Sequence, residues 1–404
     1  MASAFAISVF LGRTIGPEGL GIVNLANQII MFLLVLTLFG MQHVLVKNIA
    51  IAHSKGQRAK IKSNVVTAVR FNGLIALATC IIFILLAYFF AEDIFNSPLL
   101  TTPLIIFLLA LVAQTLTRVY ASAINGVGKV WQSNIFVQVL SYVIVAGILI
   151  VSYLFNLKID VVYVAFVYML ARVIVFIIAI IYWKKISHFS FKAKMNLGPM
   201  LKMALPLVLV SSTSVLATNA DIIMLGIMGD AEKVGLYSVG SRIAMLTSFV
   251  LLVSNTAISP KLAFMYSEGK IDEMQKMVRQ TTFGTFVIAL LFLLTFLFFG
   301  KTILSLWGNE FVEAYLSLII LCVGQFFNVT TGCSGMLLIM CGHEKLHRNI
   351  SLISVTLNIL LNFYFIKYFG IIGAAFATTI VISIENLLKV YYAKKKVGIF
   401  TIPF

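Results

Sequence analysis

Residues 11 to 29 read Leu-Gly-Arg-Thr-Ile-Gly-Pro-Glu-Gly-Leu-Gly-Ile-Val-Asn-Leu-Ala-Asn-Gln-Ile, and residues 225 to 243 read Leu-Gly-Ile-Met-Gly-Asp-Ala-Glu-Lys-Val-Gly-Leu-Tyr-Ser-Val-Gly-Ser-Arg-Ile. Without a gap, Leu11, Gly12, Glu18, Gly21 and Ile29 coincide with Leu225, Gly226, Glu232, Gly235 and Ile243. The register persists along the chain: Ser54 and Gly56 return as Ser267 and Gly269, and Gly126 and Lys129 as Gly342 and Lys345, always 213 to 216 residues later. One half is written twice, and in an apolar chain such a duplication points to a transporter whose two lobes move about a central site.

Composition sets the class. The chain is 61% hydrophobic and 11% charged, whereas a soluble domain carries about 25% charged residues. It is expected to be an all-α integral membrane protein, because lipid leaves backbone groups no partner outside a helix or a closed barrel, and the period-2 alternation of a barrel is missing. A span needs about 20 apolar residues. Twelve runs qualify, the first of them short: roughly 1–12, 22–46, 66–91, 102–125, 132–155, 160–182, 203–228, 234–258, 281–299, 312–337, 349–368 and 371–392. The repeat groups them into two pseudo-symmetric six-helix bundles: a lobe at 1–185, a linker at 186–202, a second lobe at 203–393 and a tail at 394–404. The counterpart of span 203–228 would begin about a dozen residues before Met1, so the first helix is expected to be truncated.

Lys and Arg concentrate on one set of loops, including Lys47, Lys55, Arg58, Lys60, Lys62, Lys129, Lys184, Lys185, Lys192, Lys194, Lys202, Lys261, Lys270, Lys345, Arg348 and Lys394 to Lys396. The opposite loops carry Arg13, Lys158, Lys233, Lys301 and Lys367. Basic short loops stay inside, which places both termini in the cytoplasm of a multi-pass protein of the cytoplasmic membrane. The net charge of +16 is therefore topology and attraction to anionic lipids, with no nucleic-acid footprint. The longest loops, 184–202 and 259–280, are cytoplasmic, and Ile271 to Val278 reads as a short amphipathic helix or a polar linker.

Enzyme motifs are weak. His343-Glu344-Lys345-Leu346-His347 fits H-E-x-x-H, but it falls in a loop without a third ligand, so no metal is expected. Cys80, Cys322, Cys333 and Cys341 lie in apolar runs without paired spacing and read as small hydrophobes. Gly126-Val127-Gly128-Lys129 lacks the phosphate-loop spacing. Asn328-Val329-Thr330 lies inside a predicted helix. No cofactor site and no catalytic residues are expected.

The informative residues are charges within the spans: Arg118, Arg172, Asp221, Arg242 and Glu385. A charge at a span centre costs about 2.5–3.5 kcal/mol and normally faces an aqueous cavity or a partner. Three arginines against two carboxylates make a positive interior, and guanidinium's planar fork suits phosphate oxygens. Pairing within the protein, such as Asp221 with Arg242, is the structural alternative, and Arg118 is also placed to reach the interface. Asn24, Gln28, Asn219 and Asn255 fit a wet cavity or interhelical hydrogen bonds. Pro206 and the small residues Ser211, Ser212, Thr213, Ser214 and Ala217 make the seventh span a candidate for bending.

The turn Leu11-Gly12-Arg13-Thr14-Ile15-Gly16-Pro17-Glu18-Gly19-Leu20-Gly21 resembles the R-x-L-G-P-E-G-Y-G signature of polysaccharide repeat-unit flippases, the Wzx-type proteins of O-antigen, capsule and exopolysaccharide synthesis. They belong to the superfamily of multidrug, oligosaccharidyl-lipid and polysaccharide exporters, which have a MATE-like fold. Asp221 to Gly226, Gly235-Leu236-Tyr237 and Gly342-His343-Glu344-Lys345 extend the resemblance over essentially the whole chain. It implies a substrate, an undecaprenyl-diphosphate-linked oligosaccharide flipped to the outer leaflet by alternating access, and a proton, a sodium ion or the membrane potential as driving force. Arg172, Arg242 and Arg118 would then meet the diphosphate, Asp221 or Glu385 would carry the coupling ion, and polysaccharide polymerase or export machinery would be a partner. Multidrug or other lipid export is the alternative. A membrane glycosyl polymerase or ligase would need a large outer loop, and the outer loops here are about ten residues or shorter.

Overall fold

The computed structural model describes residues 2–95, 97–187 and 195–403. Among them no strand occurs, and nine helices are long and apolar enough to cross a membrane. In order these are α1 (Ala2–Leu38), α3 (Arg58–Phe95), α4 (Thr101–Gly126 with the turn before it), α5 and α6 (Val130–Asn134 and Leu140–Leu154, joined by a π-turn), α7 (Val161–Ser187), α9 (Ala231–Ser267), α10 (Ile271–Leu304), α11 (Tyr315–Thr330 with its preceding turn) and α13 (Glu344–Val397). The shorter α2 (Met41–Ser54) and α12 (Ser334–Met340) extend spans, and α8 (Leu197–Met228) supplies another.

Two of the nine contain a break, and this reconciles them with twelve expected spans. In α13 Gly370 leaves the helical region at φ 55 and ψ −129. Ser351 Oγ donates to Glu385 at 2.9 Å across a separation of 34 residues, which a straight helix at 1.5 Å per residue would stretch to about 50 Å. So α13 is a helical hairpin, closed so tightly that a Cβ on Gly373 would strike the Phe365 carbonyl. In α1 the break is Gly16 at φ 68 and ψ −175, followed by Pro17. Glycine takes the positive φ at no steric cost, and proline then opens the next helix where its missing N–H is not needed. The segment read as an outer turn, 11 to 21, is thus helical on both sides of Gly16.

The segment 259–280, read as a loop, also differs from expectation. Helix α9 runs on to Ser267, α10 begins at Ile271, and only 268–270 connect them. Ile271 to Val278 is the first part of α10 itself, with Met274 and Val278 fully buried. In the other long loop, the stretch 188–194, with Lys192 and Lys194, lies outside the described residues, as do the side chains of Pro206, Ser211, Thr213, Ser214 and Ala217.

The chain divides into two compact units, Met1–Leu216 and Ala217–Phe404. In the first, α4 is central and packs on α3, α7, α1 and α2. Its partner α1 ends at Leu38 and the chain turns through Phe39 at φ 47 and Gly40 at φ 68. The Asn72 amide donates to both the Thr37 and Leu38 carbonyls at 2.8 Å, satisfying acceptors that a helix end leaves orphaned. In the second unit α11 is central, against α13, α9 and α10. Its C-terminal stretch is docked: Ile399 and Thr401 are fully buried, Thr401 Oγ1 donates to the Thr331 carbonyl at 2.8 Å, and the Gln275 amide both donates to and accepts from the Phe400 backbone. All four cysteines are buried and unpaired.

Candidate functional site

The first unit carries a cationic cavity. Helix α7 buries Val164, Val167, Ala171, Val175, Ala179 and Trp183, a 3.6-period stripe facing the unit's interior, and Arg172 lies beside that stripe at 6% exposure. Its Nη2 donates to Asn27 Oδ1 of α1 at 2.5 Å. Its guanidinium lies 4.9 Å from the Phe107 ring centre and 6.0 Å from that of Tyr168, a stacked arrangement that steadies a cation without neutralising it. Its Nη1 is buried and has no hydrogen-bond partner.

Arg118 of α4 lines the same cavity, with Gln114, Ser141, Tyr142 and Tyr168 among the other lining residues and no carboxylate among them. The Arg118 guanidinium donates to the Met31 sulfur at 3.7 Å. Of the two placements the sequence left for Arg118, a cavity and the interface, the structure shows it half-buried and lining one cavity with Arg172. Phe136 and Val137 of the π-turn at Ile135–Val139 also line the cavity, shortly before Ser141 and Tyr142. Such a turn inserts one extra residue into a helix and re-aims the side chains beyond it, and it occurs frequently at functional sites.

The second unit holds an acidic site. Asp221 of α8 accepts from Tyr237 Oη at 2.8 Å, Thr378 Oγ1 at 2.6 Å and Asn362 Nδ2 at 2.7 Å. Asn362 also donates to Asn358 Oδ1 at 3.0 Å. It is fully buried, and its own Oδ1 has no hydrogen-bond partner. Tyr237, Ser241, Gln325 and Thr378 line the cavity beside the carboxylate. Two hydroxyls and one amide, all neutral, thus donate to a single carboxylate.

The remaining sequence candidates fall elsewhere. Glu385 forms an ion pair with Lys389 at 2.7 Å and accepts from Ser351, so Lys389 joins the interior charges the sequence reading counted. Arg242, half-buried on α9, belongs to neither cavity lining. Asn24, Gln28 and Asn219 are half-buried, and Asn255 Oδ1 is buried without a partner. His343 precedes α13 and His347 lies in its first turn, and among the described residues no group of three metal-ligating side chains forms.

Sequence reasoning missed Asn27, Tyr142 and Tyr168 at the first site and Tyr237, Asn358, Asn362 and Thr378 at the second. Asn358 and Asn362, one turn apart in an apolar span, carried the available signal.

A profile described as "Polysaccharide biosynthesis protein" matches residues 2–266. This chain belongs to that polysaccharide biosynthesis protein family. A MatE profile also matches residues 206–364. Among curated relatives, the Staphylococcus aureus capsular polysaccharide biosynthesis protein CapF is 26% identical over 196 residues, 48% of this chain and 49% of that protein. The probable low-salt glycan biosynthesis flippase Agl15 of Haloferax volcanii is 25% identical over 180 residues, 44% of this chain and 38% of that one. The chain thus spans half or less of the length of the curated relatives it matches. In fold it is similar to an inward-facing multidrug resistance MATE family transporter, at TM-score 0.80 and 16% identity over 98% of this chain and 94% of that one. It is likewise similar to the lipid II flippase MurJ in an inward closed conformation, at TM-score 0.71 and 16% identity over 97% and 87%. This member of the polysaccharide biosynthesis protein family is therefore a multi-pass membrane protein with the MATE fold.

Proposed function

We propose that this chain is a flippase that moves an oligosaccharide linked to undecaprenyl diphosphate across the cytoplasmic membrane for surface polysaccharide synthesis, a transporter and not an enzyme. The observation that carries the reading is the arginine pair: Arg172, buried with an unused donor, beside Arg118 in a cavity whose lining holds no carboxylate. Buried charge without a counter-ion is costly, and a diphosphate would neutralise it through forked, charge-assisted hydrogen bonds. Membership of the polysaccharide biosynthesis protein family supports the saccharide end of the substrate.

On this reading the lobes 1–185 and 203–393, joined by the 186–202 linker, alternate their access while the lipid tail stays in the bilayer. Arg242 would be a further cationic contact for the diphosphate. Asp221 would take the coupling proton or sodium ion, with Glu385 paired to Lys389 as a lesser candidate. Both termini lie in the cytoplasm, and a polymerase or export complex receives the product.

The test is the lipid-linked oligosaccharide pool of the inner leaflet in cells lacking the gene. Accumulation that the wild-type gene clears and Arg172→Ala does not is the expected result. No accumulation, with altered drug susceptibility, would replace this reading with multidrug export. Normal flipping with unpolymerised product would point to a polymerase.

A further inference from the structure

The α13 hairpin carries a line of polar residues that the arginine pair and the Asp221 cavity leave unexplained. On its first arm His347, Ser351, Ser354, Asn358 and Asn362 occur at steps of three or four, which puts them on one face of the helix. The second arm answers with Thr378, Glu385 and Lys389, and contacts across the hairpin fix the register. Asn358 Nδ2 reaches Thr378 Oγ1 at 3.5 Å near Asp221. Ser351 donates to Glu385 at 2.9 Å, and Glu385 binds Lys389 at 2.7 Å. At the far end a methyl group on Gly335 would lie 3.1 Å from the His347 ring and 3.5 Å from the Lys389 stem, so those two side chains flank one point.

Ser354 and Asn358, at 4% and 6% exposure, continue the line between its two hydrogen-bonded ends. From His347 to Asn362 the seam runs about 22 Å along the helix axis. Ser351 and Ser354 are one turn apart, about 5 Å, a gap that one water between two hydroxyls closes. The seam ends basic and acidic at the His347 end, which the distribution of Lys and Arg assigns to the cytoplasm, and acidic at Asp221. Its titratable groups are His347, Glu385, Lys389, Asp221 and Tyr237. Of the elements packed against the hairpin, α11 and α12 contain no charged residue, and α9 adds Arg242 five residues past Tyr237. Polar residues in spans often serve only to hold helices together. That role does not call for titratable groups at both ends, nor for the buried, unpartnered Oδ1 of Asn362 and Nδ1 of His347.

We propose that the seam between the two arms of α13 is a proton path connecting Asp221 with the cytoplasm. The proposal rests on Asp221 being the ion-coupling group and adds the identity and route of the ion. In each transfer a proton enters at the His347 and Glu385 end and passes along the hydroxyls of Ser351 and Ser354. A water that takes the proton from Ser354 hands one to Thr378 Oγ1, which releases its own proton to Asp221 Oδ2. The amides of Asn358 and Asn362 hold the last acceptor in place.

The test uses the purified full chain in liposomes loaded with a pH-sensitive dye, with proton entry driven by a potassium diffusion potential. Wild type is expected to exceed protein-free vesicles, and Asp221→Asn to fall to their level. Ser354→Ala and Glu385→Gln are each expected to slow entry by about tenfold or more, while Ser354→Thr, which keeps the hydroxyl, stays within about twofold of wild type. Monodispersity of each variant in detergent controls for folding. Ser354→Ala and Glu385→Gln at the wild-type rate, with Asp221→Asn inactive, would overturn the seam and leave the Asp221 reading standing. Asp221→Asn at the wild-type rate would remove both. Entry of sodium in place of protons, or no proton entry by wild type, would overturn the proton path.

Discussion

Replacing Arg172 by Met separates a ligand-binding arginine from one that cements helices. The change forfeits the charge-assisted bond to Asn27, about 1.5–3 kcal/mol, and the stacking on Phe107 and Tyr168, about 0.5–2 kcal/mol. It also relieves a buried cation with an unpaired Nη1 and no carboxylate in its cavity, a burden of several kcal/mol. The two sides cancel to within about 2 kcal/mol, so the ligand-free variant is expected to melt near the wild type or above it. Anion binding has no such compensation: losing one charge-assisted hydrogen bond weakens it by about 10- to 150-fold. With undecaprenyl diphosphate at 100 times the wild-type Kd, the wild type gains about 2.7 kcal/mol and a 100-fold weaker variant about 0.4 kcal/mol. Thermal unfolding in detergent, with and without that lipid, therefore shows a large ligand-induced shift for wild type and almost none for Arg172→Met. Arg172→Lys, which keeps the charge and loses the fork, falls between them. A variant that melts far below wild type without ligand, yet keeps the full shift, would refute the reasoning.

The same geometry sets further outcomes. Asp221→Asn keeps the shape of the Tyr237, Thr378 and Asn362 cluster and removes its charge. It is expected to leave expression intact and abolish ion-driven clearance of lipid-linked oligosaccharide in the accumulation assay; full clearance would show that Asp221 is not the coupling group. Gly373→Ala would drive a Cβ into the Phe365 carbonyl and is expected to cost more than about 2 kcal/mol, read as lost folded yield. Gln275→Ala removes two hydrogen bonds to Phe400, about 0.5–1.5 kcal/mol each, and should speed proteolytic trimming of the chain end with little change in melting temperature. Burial raises the Asp230 carboxyl, but the hydrogen bonds and charge of Lys233 outweigh it and hold the group below its ordinary value. With the folded value depressed, this cap's ionic contribution is present above the ordinary carboxylate range and lost as pH falls through the folded value. Asp230→Asn should accordingly melt below wild type at neutral pH and alike near pH 2, and a constant difference would contradict this.

What the sequence determined by itself is what depends on composition and spacing. Apolar runs of span length and 11% charged residues leave the backbone no choice but helices in lipid, and the repeat at 213 to 216 residues pairs the spans of one half with those of the other. Arg118, Arg172 and Asp221 were visible as charges too costly to face lipid. The tertiary structure decided which of these charges meet. Arg118 and Arg172 are 54 positions apart, and only the packing of α4 against α7 places them in one cavity. Asp221 acquires its ring because the α13 hairpin, turning at Gly370, brings Asn362 and Thr378 to one carboxylate. Glu385, for which the sequence left ion coupling and ion pairing both open, is paired because Lys389 sits one helical turn away and Ser351 faces it across the hairpin. Helix rotation and side-chain direction are set by contacts between elements distant in the chain, and hydropathy along the sequence carries no record of them.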